Sequence, residues 1–458
     1  MFTCITRKSP AVFRLGTAAP NKFAVKYTTK TFDLDDQVPR LGIPDLKQTA
    51  SRYLKTVEPW MPQRDFEHTK AAVSNFLAPN GLGSVLQARL HDYDAHQKFS
   101  WLENIWLDKA YLEYREPCFL NVNWFATIKD SNLVVPSGAF NQASPSRFEY
   151  GQVSKAQVER AAIIISGFLD FNDKLNSQTV APETDRSGKP LCMNQYRYQF
   201  GTTRIPKLGR DEIVSKYPNF DKHIMVICMD KVFKLQVIDD NGKRLDPQAI
   251  KGGLVSAAQM AQNSASELPV GILTASNRDL WANSRMDLTA ISGNNRSNFD
   301  IIDRALFSVS LDTTFNQNYD IQVKSNVCLR GQELGGLNRW FDKAIQLIVF
   351  PDASAGVNCE HTPVDANTTG RIIGEALVSE SKSNFAFADS GEAARPDLIE
   401  KTFQFSSDVD LKILDFSEFG SDLIKQNKTS PDSFVQMAIQ LAYHKLHQTP
   451  CPTYEAAS

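Results

Sequence analysis

Of the side chains able to move a proton near neutral pH, the seven histidines narrow the search fastest: His68, His91, His96, His223, His361, His444 and His447. Imidazole accepts and returns a proton in that range better than any other side chain. His361 stands apart. It lies in Glu360-His361-Thr362-Pro363-Val364-Asp365, after a small-residue stretch that follows a strand-like run from Arg339 to Phe350. Carboxylates at Glu360 and Asp365 flank it, placed to orient the ring or brace a partner. The residues alone give a candidate general base in a loop after a strand, and a structural histidine fits them as well. Cys359 would share a face with His361 in an extended strand, but the carboxylates explain the segment better than a thiol nucleophile does.

The remaining candidates are weaker. His444 and His447 are three apart on a helical pattern, but no third acid or histidine stands with them, so a solvated helix face is expected and no metal site. His68, His91 and His96 lie among charged residues on helical patterns and read as surface, while His223 opens a strand and reads as a packing or capping residue. The seven cysteines are scattered singly, odd in number and without a CxxC pair, which fits free thiols in a reducing compartment. Absent are a GxxxxGK[ST] loop, a GxGxxG after a strand, a GxSxG elbow and an HExxH helix. Nucleotide triphosphatases, Rossmann enzymes, serine hydrolases of that type and zincins lose most of their support.

Positioning such a base takes a folded scaffold, and 458 residues of ordinary globular composition suffice for two to three domains. Apolar periodicity predicts helices over about 46–57, 63–76, 101–114, 155–174, 411–425 and 433–447, the last opened by the cap and first-turn residues Ser430-Pro431-Asp432. A further helix is expected over Ser256–Glu267 with Ser256 as its cap. Strands are expected over Cys118–Ile128, His223–Met229, Val232–Ile238, Leu306–Leu311 and Ala344–Phe350, with Asp240-Asn241-Gly242 supplying a turn. Interleaved strands and helices make the class α/β or mixed α+β. The Gly/Ser/Ala-rich stretch from about Asn367 to Pro396 reads as a linker.

Charge and hydropathy bound the setting. The chain holds 50 basic and 52 acidic residues, a net of −2. Six of the basic ones and none of the acids lie in the first thirty positions, which leaves 44 against 52, a net of −8, for the rest. A basic, acid-free, Ser/Thr-containing leader without an apolar core predicts a mitochondrial transit segment over 1–30. The acidic remainder offers no broad footprint for nucleic acid. No apolar stretch approaches the ~18 residues of a membrane span.

Five ordered motifs carry a family resemblance. The string from Arg339 to Asp365 resembles the second signature of the carnitine/choline acyltransferases: an Arg-Trp-x-Asp-Lys opening, a small-residue middle and a Glu-His-x-x-x-Asp end. Pro39-Arg40-Leu41-Gly42-Ile43-Pro44-Asp45 through Tyr53-Leu54 is similar to the N-terminal signature, with Gly42 where the family usually has proline. Trp106–Tyr111, Leu273–Ala282 and Ser430–Phe434 fit as well. The resemblance covers about residue 38 to the last.

The resemblance implies an α/β fold of two chloramphenicol-acetyltransferase-like domains with an active-site tunnel between them. One is a continuous block over about 101–395. The other is split between 31–100 and 396–458 and is expected to be incomplete here. It implies reversible transfer of a short acyl group, acetyl first, between coenzyme A and carnitine, with choline as the alternative acceptor, coenzyme A as co-substrate and no permanently bound cofactor. A monomer in mitochondria, or alternatively peroxisomes, is expected, without a membrane span but with peripheral membrane contact left open.

Carried over by residue, His361 is the general base and Asp365 the acid that pairs with an arginine further along. Tyr111 and Tyr454 line the carnitine site, and Lys425 and Asp432 hold coenzyme A, with Lys428 adding charge for its phosphates. Three departures stand out. Ala366 replaces a glycine after the acid, which predicts strain if the loop needs positive φ there. Ser421 stands where a second coenzyme A lysine is common. The chain ends at Ser458, before the Gly-Arg-Thr segment and the Ser-Thr-Ser motif, so a C-terminal truncation is expected, and with it a noncatalytic fragment as the competing reading.

Overall fold

The computed structural model describes residues 29–129, 153–264, 269–313, 321–331, 336–382, 399–402, 416 and 418–451. Two compact units emerge. The described residues of Leu107–Lys412, with those ahead of Pro39, form the larger; Pro39–Trp106 and the described residues of Ile413–Ser458 form the smaller.

The described residues of the larger unit hold nine strands: β1 (Trp124–Thr127), β2 (Thr203–Ile205), β3 (Glu212–Val214), β4 (His223–Cys228), β5 (Lys231–Gln236), β6 (Ser308–Leu311), β7 (Gln346–Val349), β8 (Ala355–Cys359) and β9 (Ile399–Thr402). β2 and β3 pair apart as a two-stranded ribbon, and the other seven form one sheet in the order β1-β8-β7-β6-β4-β5-β9. β4–β6 and β6–β7 are parallel, and every other pair in the sheet is antiparallel. The fold class is thus mixed α/β. A two-residue turn, Met229 and Asp230, both at positive φ, closes the β4–β5 hairpin; that handedness matches the twist of the flanking strands. The Asp240-Asn241-Gly242 turn comes after β5.

Both faces of the sheet are covered, which explains why its strands read as nearly continuous apolar runs. Ile224, Val226 and Cys228 of β4 join one core with Ile164, Phe168, Leu254 and Ile372 from the Lys155–Asn176, Pro247–Asn263 and Ala366–Lys382 helices. Met225 and Ile227 turn the other way, toward Trp281, Phe299 and Trp340. At one crossing, a Cβ on Gly167 would lie 2.7 Å from Ala376 Cβ. Only a residue without a side chain lets the first and third of these helices approach so closely.

Several expectations change. The stretch read as a linker begins with the Ala366–Lys382 helix, which buries Thr369, Ile372, Ala376 and Glu380. Its small residues serve close packing, and its Glu380 pairs with the buried Arg160 guanidinium at 2.9 Å. Positions 383–396 of that stretch lie outside the described residues. Ala366 opens this helix and has no positive φ, so the expected strain is not there. The helix expected from Ser256 starts at Pro247, because Asp246 accepts from the Ala249 amide at 2.8 Å and Pro247 occupies the first turn. Cys118–Asn121 is a helical turn after Pro117, and only Trp124–Thr127 of that aromatic run is strand.

In the smaller unit, the Leu46–Val57 and Gln63–Phe76 helices match their expected spans, and a third covers Leu82–Ala95. Asp45 caps the first, accepting from the Gln48 amide at 2.9 Å. Arg40 grips the far end of the third: its guanidinium donates to the carbonyls of Asp94, Gln97 and Lys98 and to the Asp94 carboxylate at 2.7 Å. Asp94 lies in the last turn of the helix, where carbonyls lack intrahelical partners, and Gln97 and Lys98 follow its end, so the arginine of the N-terminal signature works as a helix cap. Ser421–Gln426 and Pro431–His447 are helical, the latter capped by Ser430; the expected start at Leu411 lies outside the described residues.

Candidate active site

β8 runs antiparallel between β1 and β7, with Cys359 opposite Trp124 and Asn358 opposite Gln346. Paired on both sides, the strand delivers His361 two residues past its end as a half-buried ring. Nδ1 of His361 lies 2.9 Å from the Val364 carbonyl oxygen. A carbonyl only accepts, so Nδ1 carries the proton and Nε2 holds the basic lone pair. The Tyr111 ring lies against this imidazole, centroids 5.7 Å apart and tilted by 53°. Tyr111 is presented by a widened π-helical turn, Leu107–Leu112, an irregularity frequent at functional sites.

Neither flanking acid orients the ring. Glu360 is turned inward, where it accepts from the Thr362 amide at 3.1 Å and from the Thr362 hydroxyl, and faces Arg204 Nη1 at 3.4 Å. Burial pushes its carboxyl above the usual range, against the pull of Arg204 and the Thr362 hydrogen bonds. Asp365 is exposed and clamped by Gln195, whose Nε2 donates to Oδ2 at 2.8 Å while its Oε1 accepts from the Asp365 amide at 2.9 Å.

Behind His361 lies a buried, charge-balanced network. Arg204 Nε donates to Asp211 Oδ2 at 2.7 Å; Arg278 donates to the same oxygen at 2.6 Å and to Asp342 Oδ1 at 2.7 Å; Arg115 adds Asp211 Oδ1 at 2.8 Å. Trp281 Nε1 completes Asp342 at 2.7 Å. Three guanidiniums thus meet the carboxylates of Asp211, Asp342 and Glu360. Burial opposes ionisation of Asp211, yet Arg278 and Arg204 outweigh it and hold the carboxyl below its ordinary range. Arg204 and Arg278 have no exposed side-chain surface.

The Arg-Trp-x-Asp-Lys string is part of this scaffold. Arg339 makes a two-pronged pair with Asp312 at 2.8 Å, Trp340 stacks edge-on against Trp281, and Asp342 joins the network. Lys343 is fully buried, and burial pushes its ammonium down to about 7. Its Nζ nevertheless lies within 3.1 Å of Thr203 Oγ1 and the Asp303 and Ala305 carbonyls. A neutral amine has only two protons for three acceptors, so the geometry holds the ammonium form as a cap on the Gly293–Arg304 helix.

His361 and Tyr111 are therefore brought together, and Asp365 stands four residues on with its own polar partner. Lys425, Lys428 and Asp432 are exposed in the smaller unit. Lys425 sits on the last turn of the Ser421–Gln426 helix, Lys428 at positive φ after it, and Asp432 on the first turn of the Pro431–His447 helix. Tyr454 lies outside the described residues. His68, His91, His96, His444 and His447 are exposed, and His223 Nε2 bonds the Ile301 carbonyl at 2.7 Å, the capping role. Sequence reasoning missed Arg204, Asp211 and Arg278. An arginine inside a β-branched run, Thr202-Thr203-Arg204-Ile205, was the available signal, since a charge buried in such a strand is found only with partners.

Comparison with known proteins then bears on the whole chain. The Choline/Carnitine o-acyltransferase family profile matches residues 41–458. The chain belongs to this family. Choline O-acetyltransferase of Sus scrofa is 30% identical over 468 residues, covering 96% of this chain and 69% of that relative. Carnitine O-acetyltransferases of Columba livia and Homo sapiens are each 31% identical over 446 residues, covering 92% of this chain and 68% of theirs. Choline and carnitine enzymes stand at the same distance, so family membership carries acyl transfer but not the acceptor. Among the described residues, no helix is long and apolar enough to cross a membrane.

Proposed function

We propose that the protein transfers an acetyl group reversibly between coenzyme A and carnitine, with His361 as the general base. The observation that carries this reading is the His361–Val364 hydrogen bond, which fixes the tautomer with Nε2 as acceptor beside Tyr111. Nε2 takes the proton of the acceptor hydroxyl, and its oxygen attacks the thioester carbonyl carbon. The tetrahedral adduct collapses with cleavage of the C–S bond, and the thiolate recovers the proton from His361, leaving an ester and free coenzyme A. A hydroxyl is a poor nucleophile while protonated, so the base is indispensable in this direction.

Tyr111 and Tyr454 are proposed for the carnitine site, Asp365 as the acid that supports the base by pairing with an arginine further along the chain, and Lys425, Lys428 and Asp432 for coenzyme A. The fold is proposed as a pair of chloramphenicol-acetyltransferase-like domains, and the working form as a mitochondrial monomer that needs no permanently bound cofactor. A second reading, choline as acceptor, is favoured by the equal identity to choline O-acetyltransferases. The test is release of free thiol from acetyl-coenzyme A by the purified chain with carnitine or choline. His361→Ala is expected to lose at least ~10²-fold in turnover, the scale of a general base. Retention of most turnover sinks His361 as the base, and faster turnover with choline selects the second reading.

A further inference from the structure

The reaction needs His361 and Tyr111 held in register, yet the two come from segments 250 positions apart in the chain. One side chain touches both segments. Arg204 carries five N–H groups, and each has an acceptor. Nε donates to Asp211 Oδ2 at 2.7 Å. Nη1 donates to Thr362 Oγ1 at 3.0 Å and Glu360 Oε1 at 3.4 Å. Nη2 donates to the carbonyls of Tyr111 at 2.7 Å and Tyr114 at 3.4 Å.

The Nη1 edge acts on the base. Glu360 and Thr362 are the residues on either side of His361, and they are joined to each other: the Glu360 carboxylate accepts from both the amide and the hydroxyl of Thr362. This closes a ring around the His361 backbone, and Arg204 holds the ring from behind. The Nη2 edge acts on the turn that presents Tyr111. Beyond it, Leu112 O accepts from the Asp211 amide and from Arg115 Nη1, so the same cluster fixes the end of the turn. The fork is rigid and planar, so a shift of one edge drags the other.

We infer that Arg204 is a positioning residue that sets the His361 imidazole and the Tyr111 turn in register through Thr362, Glu360 and the Tyr111 carbonyl. The inference rests on the acyl-transfer reading for its kinetic consequence, but its structural consequence is separate. Lysine has three donors radiating from one atom and cannot serve five acceptors spread around a plane. Arg204→Lys keeps the charge and loses the register.

The experiment uses the full chain carrying Arg204→Lys or Thr362→Val, the latter removing only the hydroxyl between the guanidinium and the base. Each variant is checked for folding by near-ultraviolet circular dichroism. The His361 tautomer is read by nitrogen-15 NMR of histidine-labelled protein, with His361→Ala assigning the signal. The wild type is expected to show the Nδ1–H form, and both variants a mixture shifted toward Nε2–H. Turnover with acetyl-coenzyme A should fall about 10²-fold in Arg204→Lys, the scale of a displaced reacting group. The KM for acetyl-coenzyme A should stay within about threefold, because the residues proposed to hold it are untouched. Thr362→Ser, which keeps the hydroxyl, should recover most of the loss seen with valine.

A folded variant with wild-type turnover and an unchanged tautomer overturns the inference, as does a fall in turnover with the tautomer unchanged, since that effect bypasses the base. If Arg204→Lys does not fold, Thr362→Val decides alone. No turnover in the wild type would instead defeat the acyl-transfer reading, full turnover in His361→Ala would remove His361 as the base, and in either case the NMR result still decides whether Arg204 sets the ring.

Discussion

Asp342→Asn is the sharpest test of the buried network. The side chain has no exposed surface, and its two oxygens serve different donors, Arg278 Nη1 and Trp281 Nε1, each at 2.7 Å. An amide is nearly the same size but offers one oxygen and one NH2, so one of those donors must face another donor. The substitution also removes a negative charge from a cluster of three guanidiniums and three carboxylates. Breaking a buried ion pair from one side costs about 3–5 kcal/mol, because the remaining charge is left in a poor solvent. Arg278 retains Asp211 at 2.6 Å, but that carboxylate is already shared with Arg204 and Arg115, so the relief is partial and the lower end, about 3 kcal/mol, is expected. Against a total stability of roughly 5–15 kcal/mol this is a large fraction. Urea unfolding of the wild type and variant, followed by tryptophan fluorescence, gives the difference. Adding Arg278→Met removes the orphaned cation, and the double variant should be at least ~1 kcal/mol more stable than additivity requires. A cost below about 1 kcal/mol for Asp342→Asn, or strict additivity, would show that the network is no more than a set of independent contacts.

Gly167→Ala should destabilise by about 1–3 kcal/mol despite the better helix propensity of alanine, because the new Cβ meets Ala376 Cβ at 2.7 Å and Ala376 Cα at 2.8 Å; Ala376→Gly in the same chain removes only the first contact and should restore part of the thermal stability. Asp211 is held below its ordinary range, so the stability tied to its ionisation is complete above the unfolded value of about 3.9 and is lost as pH falls through the lower folded value. Thermal unfolding between pH 6 and pH 2 should show that loss, and Asp211→Asn, already destabilised at pH 6, should lack this part of the acid slope. Lys425→Ala and Lys428→Ala should each raise the KM for acetyl-coenzyme A about fivefold and flatten its salt dependence, the scale of one exposed ion pair; an unchanged KM at low salt would remove these lysines from the coenzyme A site.

How much of this could be read from the sequence depended on how far the determining contacts lie along the chain. The Leu46–Val57 helix is signalled locally, by its apolar spacing and by Asp45 as cap, and its bounds match. β8 is not: Ala355-Gly356 looks like a loop, and only pairing with β1 and β7 makes it a strand. A Cβ at Gly356 would collide with Cys328 Sγ and lie 2.9 Å from the Ala126 carbonyl oxygen, so the small residue that disguises the strand is what its packing demands. The Ala366–Lys382 helix was hidden for the same reason, its small and polar residues reading as a linker when Glu380 is paired inside. In the site, His361 was visible because its neighbours are acids, but of the two roles that spacing offers Glu360, orienting the ring or bracing a partner, only the second is seen. Adjacent charges suggest direct contact, whereas Glu360 is drawn to Arg204, 156 positions away, and the ring to a backbone carbonyl.

The burial of the Arg-Trp-x-Asp-Lys string changes what that string can be used for. Arg339, Trp340, Asp342 and Lys343 have at most 1% of their surface exposed, and each is occupied by a partner that belongs to the fold. None of them is free to meet a substrate. A chain that kept these four residues while losing His361 would fold on the same core without its proposed base, and drift that spared only folding would leave the string intact. Recognition by that signature therefore certifies the scaffold. On the proposed mechanism, whether a given copy still works is judged from the imidazole and from the carbonyl that fixes its tautomer.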